Sequence, residues 1–264
     1  MPRVGWTVII LAILWPGTAV AQKRDPLAEA RLLYNEHQFE AALEAAERAR
    51  ATPGLSHRAD LIAARAYLER YRESAAADDL ASARERLKRI EPQQFDLLER
   101  TEFIVGLGEA LYFDESYGAA ANIFETILDS GIPLPADSRE RVLEWWAIAV
   151  DRDAWLRPES GRQSSYQRIH ARMRDELTTN AGSPTAAYWL AAAARAEGDP
   201  QAAWDAVQAG WVRAVLIADR GAALRADLDR LMEVAIIPER ARTLGQPPEN
   251  IRLEWEKFKE RWSN

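Results

Sequence analysis

Apolar residues recur every three to four positions along most of the chain, the spacing of helices that bury one face. The clearest stretch is residues 101–130, TEFIVGLGEALYFDESYGAAANIFETILDS, where two amphipathic segments flank a polar break at Asp114-Glu115-Ser116. Ile104, Leu107, Leu111, Tyr117, Phe124 and Ile127 supply bulk there, while Gly108 and Ala120 are small enough for two helices to approach closely. The pattern predicts a helical hairpin.

Similar two-helix patterns precede and follow it. YNEHQFEAALEAAERA, with Tyr34, Phe39, Ala42, Ala46 and Ala49, predicts a turn and a second helix that Pro53 ends. ADLIAARAYLERY, around Ala64 and Tyr67, and DDLASARERLKRIEP, around Ala83 and Leu87, predict another hairpin whose second helix is capped by Asp78 or Asp79. After Pro133-Leu134-Pro135, RVLEWWAIAV and YQRIHARMRDEL predict a fourth, joined by a polar loop containing Pro158 and Gly161. YWLAAAARAEGDPQAAWDAVQAGWVRA predicts a fifth around Ala191, the Gly198-Asp199-Pro200 turn and Ala203. Corresponding second-helix positions fall unevenly, at Ala42, Ala83, Ala120, Ile169 and Ala203, which places extra residues in loops before Asp78 and Ser164. Further on, Leu224, Leu228 and Leu231 share one face, and Ile251, Trp255, Phe258 and Trp262 form a stripe, as expected of helices that close the end of an array.

Residues 101–133 resemble a tetratricopeptide repeat. Ile104, Leu107, Gly108, Leu111, Ala120 and Phe124 match that family's pattern, Ile127 replaces its second-helix Ala, and the closing proline arrives one place late as Pro133. The resemblance is weaker in the other hairpins. It implies an all-α, right-handed solenoid of about five antiparallel helix pairs over residues 22–216, closed by capping helices over 217–264. It also implies that the first helix of each pair lines a concave groove. The family's groove positions fall on Arg31, Tyr34 and Asn35, then Arg58 and Arg65, then Glu109 and Tyr112. Three arginines in one groove would suit a protein or peptide partner bearing acidic groups or a free carboxylate, because guanidinium forks bind carboxylates bidentately.

The N-terminus changes the picture of compartment. Arg3, an apolar run from Val8 to Trp15, Pro16-Gly17 and the small-x-small Ala19-Val20-Ala21 predict a signal peptide over 1–21, cleaved after Ala21. The apolar run is less than half the roughly 20 residues a spanning helix needs, so no membrane span is expected in the mature chain. Cysteine is absent, which removes a lipid-attachment site, disulfides and thiolate chemistry. These features together predict a periplasmic or secreted bacterial protein. The formal net charge is −7, and losing Arg3 (+1) makes it −8. With no local run of Lys and Arg, nucleic acid is not an expected partner.

Candidate chemistry is sparse. The chain has no HExxH, GxSxG, Walker loop or Cys/His metal spacing. Gly106-Leu107-Gly108 lies within a helical pattern without the strand of a dinucleotide fold, and reads as packing. His37, His57 and His170 fall at a turn, a helix start and a helix interior with no one-turn pair, so no metal site is expected, nor any cofactor. Asp151 with Asp153, and Asp78 with Asp79, read as caps or solvated surface. Glu115-Ser116 shares a dipeptide with the catalytic pair of lytic transglycosylases, but the chain continues Tyr117-Gly118-Ala119-Ala120 instead of Gly-Leu-Met-Gln. Most tryptophans are expected in the core, and of adjacent Trp145 and Trp146 one is expected to serve as a surface anchor. The expected function is an exported, non-enzymatic adaptor or scaffold that binds peptides or proteins in its groove. The alternatives are a peptidoglycan-acting enzyme or its accessory subunit, and a structural spacer.

Overall fold

The computed structural model describes residues 25–262, which are helical throughout with no strand among them. The proposed signal peptide and its cleavage point lie outside the described residues. Five consecutive pairs are α1 (Pro26–Asn35) with α2 (Phe39–Arg50), α3 (Ser56–Ser74) with α4 (Ala77–Lys88), α5 (Leu97–Phe113) with α6 (Tyr117–Asp129), α7 (Ala136–Trp155) with α8 (Glu159–Thr179), and α9 (Pro184–Ala196) with α10 (Pro200–Arg213). Two 3-10 turns then lead to α11 (Ala222–Leu231), a π turn (Met232–Ile236), α12 (Ile237–Leu244) and α13 (Pro248–Trp262). Because α11, the π turn and α12 are continuous, the described chain forms twelve helices packed in sequence. Pro238 gives a physical reason for the π turn: it lacks an N–H, and its ring would crowd the carbonyl of Val234 in an ordinary helical turn.

Helix starts follow local chemistry. Asp25-Pro26, Ser183-Pro184 and Asp199-Pro200 each place a side-chain acceptor at the N-cap and proline in the first turn, where a missing N–H costs nothing. Asp96 and Glu99 form a reciprocal capping box that starts α5 at Leu97, four residues before the hairpin pattern is evident in the sequence. Three pairs share one turn: His37, Glu115 and Gly198 occupy the left-handed region two residues before the second helix. Behind them, the Gln38, Ser116 and Asp199 amides donate to the carbonyls of Leu33, Leu111 and Ala194 at 2.9, 2.9 and 3.1 Å. Ala75, also left-handed, holds the equivalent place before α4.

Three sequence expectations change here. The extra residues before Asp78 lengthen α3, leaving only Ala75 and Ala76 as the connection. Those before Ser164 likewise lie inside helices, because α8 already begins at Glu159 and includes Gly161. Asp78 and Asp79 do not cap α4: Ala76 is the N-cap, and Asp79 is buried with Arg70 Nε 3.2 Å from its carboxylate. Burial of a carboxylate beside a guanidinium wins over capping at this site.

Four apolar clusters follow one another along the chain, over α1–α3, α3–α5, α5–α9 and α9–α13. Ala120 and Phe124 are fully buried, and a Cβ built on Gly108 would come within 2.6 Å of the Phe124 ring. Glycine is therefore required there by the closeness of α5 and α6. Each odd-numbered helix from α1 to α9 also touches the next odd-numbered one, whereas α2, α4, α6 and α8 make at most sparse contact with the next even-numbered helix. The odd-numbered helices thus form the tighter layer, on which the candidate site opens.

Candidate ligand groove

Seven residues carry the groove expectation, and the structure assembles most of them around one acidic seam. Glu99, buried at the start of α5, has Arg31 Nη2 at 3.0 Å and Arg58 Nε at 2.7 Å, both on Oε1. Its other oxygen accepts from the Asp96 amide at 3.3 Å. Glu102, one turn later, has Arg65 Nη1 at 3.1 Å and Arg31 Nη1 at 3.9 Å. The Arg65 guanidinium lies over the Tyr34 ring at 4.5 Å, and the Tyr34 hydroxyl donates to Glu69 Oε1 at 3.4 Å. Hence the three arginines converge on Glu99 and Glu102, so the chain's own carboxylates engage them. Bonding and attraction to Glu99 raise the pKa of Arg58 above its ordinary value.

Tyr34, Arg65 and Glu109 line a first cleft between α1, α3, α5 and α7, about 570 Å³ measured out to its open mouth. Leu98, Val105, Leu134, Pro135 and Val142 give it apolar wall between the polar and charged residues, and Leu98 is 53% exposed. Burial pushes the Tyr34 phenol up to about 12, against the charge of Arg65. Glu109 makes no hydrogen bond or ion pair among the described residues. Burial, and next the like charge of Glu69, push its carboxyl up to about 7, opposed by Arg65, Arg141 and Arg72.

Arg141 joins this cleft to a second one between α3, α7 and α9. It is exposed and makes no hydrogen bond or ion pair among the described residues. Trp145 lies one turn further along α7 in the second cleft, half-buried, edge-on to Tyr112 at 4.8 Å and stacked on Phe124 at 6.2 Å. Trp146 is fully buried beneath Arg168 and Arg172, so Trp145 is the more exposed member of the pair. Glu140 fixes the far wall: it accepts from Asn180 Nδ2 at 3.1 Å, Ser183 Oγ at 2.9 Å and the Thr185 amide at 3.3 Å, pinning the start of α9 against α7.

Two expected positions stand apart. Asn35 is exposed at the end of α1 and joins neither cleft, while Tyr112 packs into the aromatic group around Trp145. Arg141 was not among the residues expected from the sequence, yet a signal existed. Ser138, Arg141, Trp145 and Ile148 repeat on α7 the three-and-four spacing by which Glu102, Val105, Glu109 and Tyr112 follow one another on α5. The exposed pair Trp155 and Leu156, at 72% and 76%, ends α7 and was also not anticipated.

No protein-family model, curated protein or solved structure matches this chain.

Proposed function

We propose that this chain is an exported adaptor or scaffold with a right-handed, tetratricopeptide-like solenoid, and that it holds an extended segment of a protein partner against its odd-numbered helices without catalysing a reaction. The observation that carries this reading is Arg141: an exposed guanidinium with no hydrogen bond or ion pair among the described residues, shared by two adjoining clefts, in a groove whose other arginines are largely neutralised from within. Such a cation is available for a carboxylate of the partner, with Leu98 and Trp145 offering apolar contact on either side. The turn repeated at His37, Glu115 and Gly198 supports a repeat architecture, and the apolar N-terminal run supports export.

The carboxylate contact accordingly moves from Arg58 and Arg65 to Arg141. Removing Arg58 and Arg65 would leave Arg31 as the one close cation for both Glu99 and Glu102 among the described residues, so lost binding and lost packing would coincide. Arg141→Ala avoids this. A photo-crosslinking amino acid at Leu98, in the full chain expressed in its native host, is expected to trap a discrete protein partner. Arg141→Ala should weaken that capture roughly tenfold or more, as the loss of one charge-assisted contact does, with helicity by circular dichroism unchanged. A folded chain that traps nothing, or traps the same partner regardless of Arg141, would sink the adaptor reading.

A further inference from the structure

The first cleft contains an acid that makes no hydrogen bond or ion pair among the described residues, and its surroundings specify what could supply one. Glu109 lines an opening of mixed polar and apolar walls together with Arg65, Glu102, Arg141 and Tyr34, with Glu69 and Arg72 close enough to act on its charge. Arg65 is committed to Glu102 and to the Tyr34 ring, and Arg72 lies 2.6 Å from Glu69 Oε2. That Glu69 oxygen is buried yet makes no well-aligned hydrogen bond. The cleft therefore holds one carboxylate, Glu109, without a hydrogen bond or ion pair among the described residues, and behind it Glu69, already engaged by Arg72 and Tyr34.

Resting on the adaptor reading above, we propose that this cleft receives an alkylammonium group: the side chain of a lysine in the partner's bound segment, its methylenes along Val105, Leu134 and Val142 and its ammonium on Glu109. A compact ammonium with three donors suits point acceptors set in apolar walls. A guanidinium suits the site less well, because it seeks a planar fork or an aromatic face. The nearest aromatic face is already taken: Arg65 covers Tyr34, whose ring also packs against Phe39 at 5.9 Å between centroids. A metal ion is a poorer fit, since no cluster of three or more His, Cys, Asp or Glu ligands occurs among the described residues. The lysine would sit beside the carboxylate held by Arg141, so the bound segment presents a basic and an acidic group close together.

Only the ionised Glu109 can pair with the ammonium, and in the free protein its carboxyl is pushed up to about 7 by burial and Glu69. A lysine ammonium stays charged well above that. Binding should therefore strengthen as pH rises, by about tenfold between about pH 6 and pH 8.5.

Calorimetric titration of the full chain with the blocked pentapeptide Ala-Ala-Lys-Ala-Ala tests the proposal, alongside its norleucine counterpart and butylamine. The lysine peptide is expected to saturate, to compete with butylamine, and to exceed the norleucine peptide by about tenfold or more. Glu109→Gln should abolish that preference, and because it removes a repelled charge it should remain folded. As an independent readout on the unaltered protein, saturating butylamine should lower the midpoint of the Glu109 carboxyl carbon shift by at least about one pH unit. Equal binding of the norleucine peptide, indifference to Glu109→Gln, or an unmoved Glu109 midpoint would overturn the lysine site. If the peptide fails while Arg141-dependent crosslinking persists, the adaptor reading stands and the lysine site falls; if both fail, so do both readings.

Discussion

A partly buried acid with no partner opposes folding whenever it is charged, and Glu109 is such an acid at neutral pH. Its carboxyl lies near 7 in the folded chain against an ordinary value of 4.5, so between those values the folded state keeps a proton that the unfolded state has lost. Stability consequently falls as pH rises from about 4.5, and the penalty is complete above about 7. Glu109→Gln, which imitates the protonated form, should stabilise the protein by up to about 3 kcal/mol at pH 8 and by almost nothing near pH 4.5. Denaturant unfolding at the two pH values checks this, and a gain that does not depend on pH would contradict it. Tyr34, Arg65 and Glu109, which share the first cleft, were each singled out in the sequence. The partners were not: Glu99 lies 68 residues from Arg31 and 41 from Arg58, and helical periodicity carries no information about pairing across such separations.

At the scale of elements, helix pairs were readable because each amphipathic segment repeats its apolar residues with the helical period and ends near Gly, Pro or a polar cluster. The lengths of α3 and α8 were less readable. Residues 72–74 lack an apolar stripe, yet α3 extends through Ser74 before Ala75 turns left-handed, and one glycine at 161 does not stop α8. The shared turn was hidden for another reason: its left-handed position holds Gly198 in one hairpin, but His37 and Glu115 in two others, where residue type gives little warning. The α5–α6 contact was legible from its small residues. Ala120 is fully buried beside the close approach of Gly108 and Phe124, leaving no room for a larger side chain. Ala120→Leu should cost about 1–3 kcal/mol, read as a lowered thermal midpoint with helicity retained at low temperature. An unchanged midpoint would mean that α5 and α6 are not in close contact there.

Across the whole molecule, each apolar cluster draws on neighbouring helices, so stability is distributed stepwise along the array and its ends have the fewest neighbours. Among the described residues, the α1 helix is one such end. Ala30 is its only fully buried residue, with Leu27, Leu33 and Tyr34 partly buried against α2 and α3. Yet it brings Tyr34 to the first cleft and Arg31 to Glu99. A segment with so few buried side chains opens locally at a smaller free-energy cost than the central helices. Its undocking removes one wall of the cleft, which makes occupancy and docking thermodynamically reciprocal: whatever fills the cleft must hold α1 down, and whatever loosens α1 must weaken the occupant. Amide hydrogen exchange should therefore be faster in α1 than in α6 or α7, and butylamine at saturation should slow it in α1 selectively. Exchange in α1 that is already as slow as in α7, or that ignores the ligand, would break this linkage. A lightly buried terminal helix would then be what ties the array's stability to its cargo.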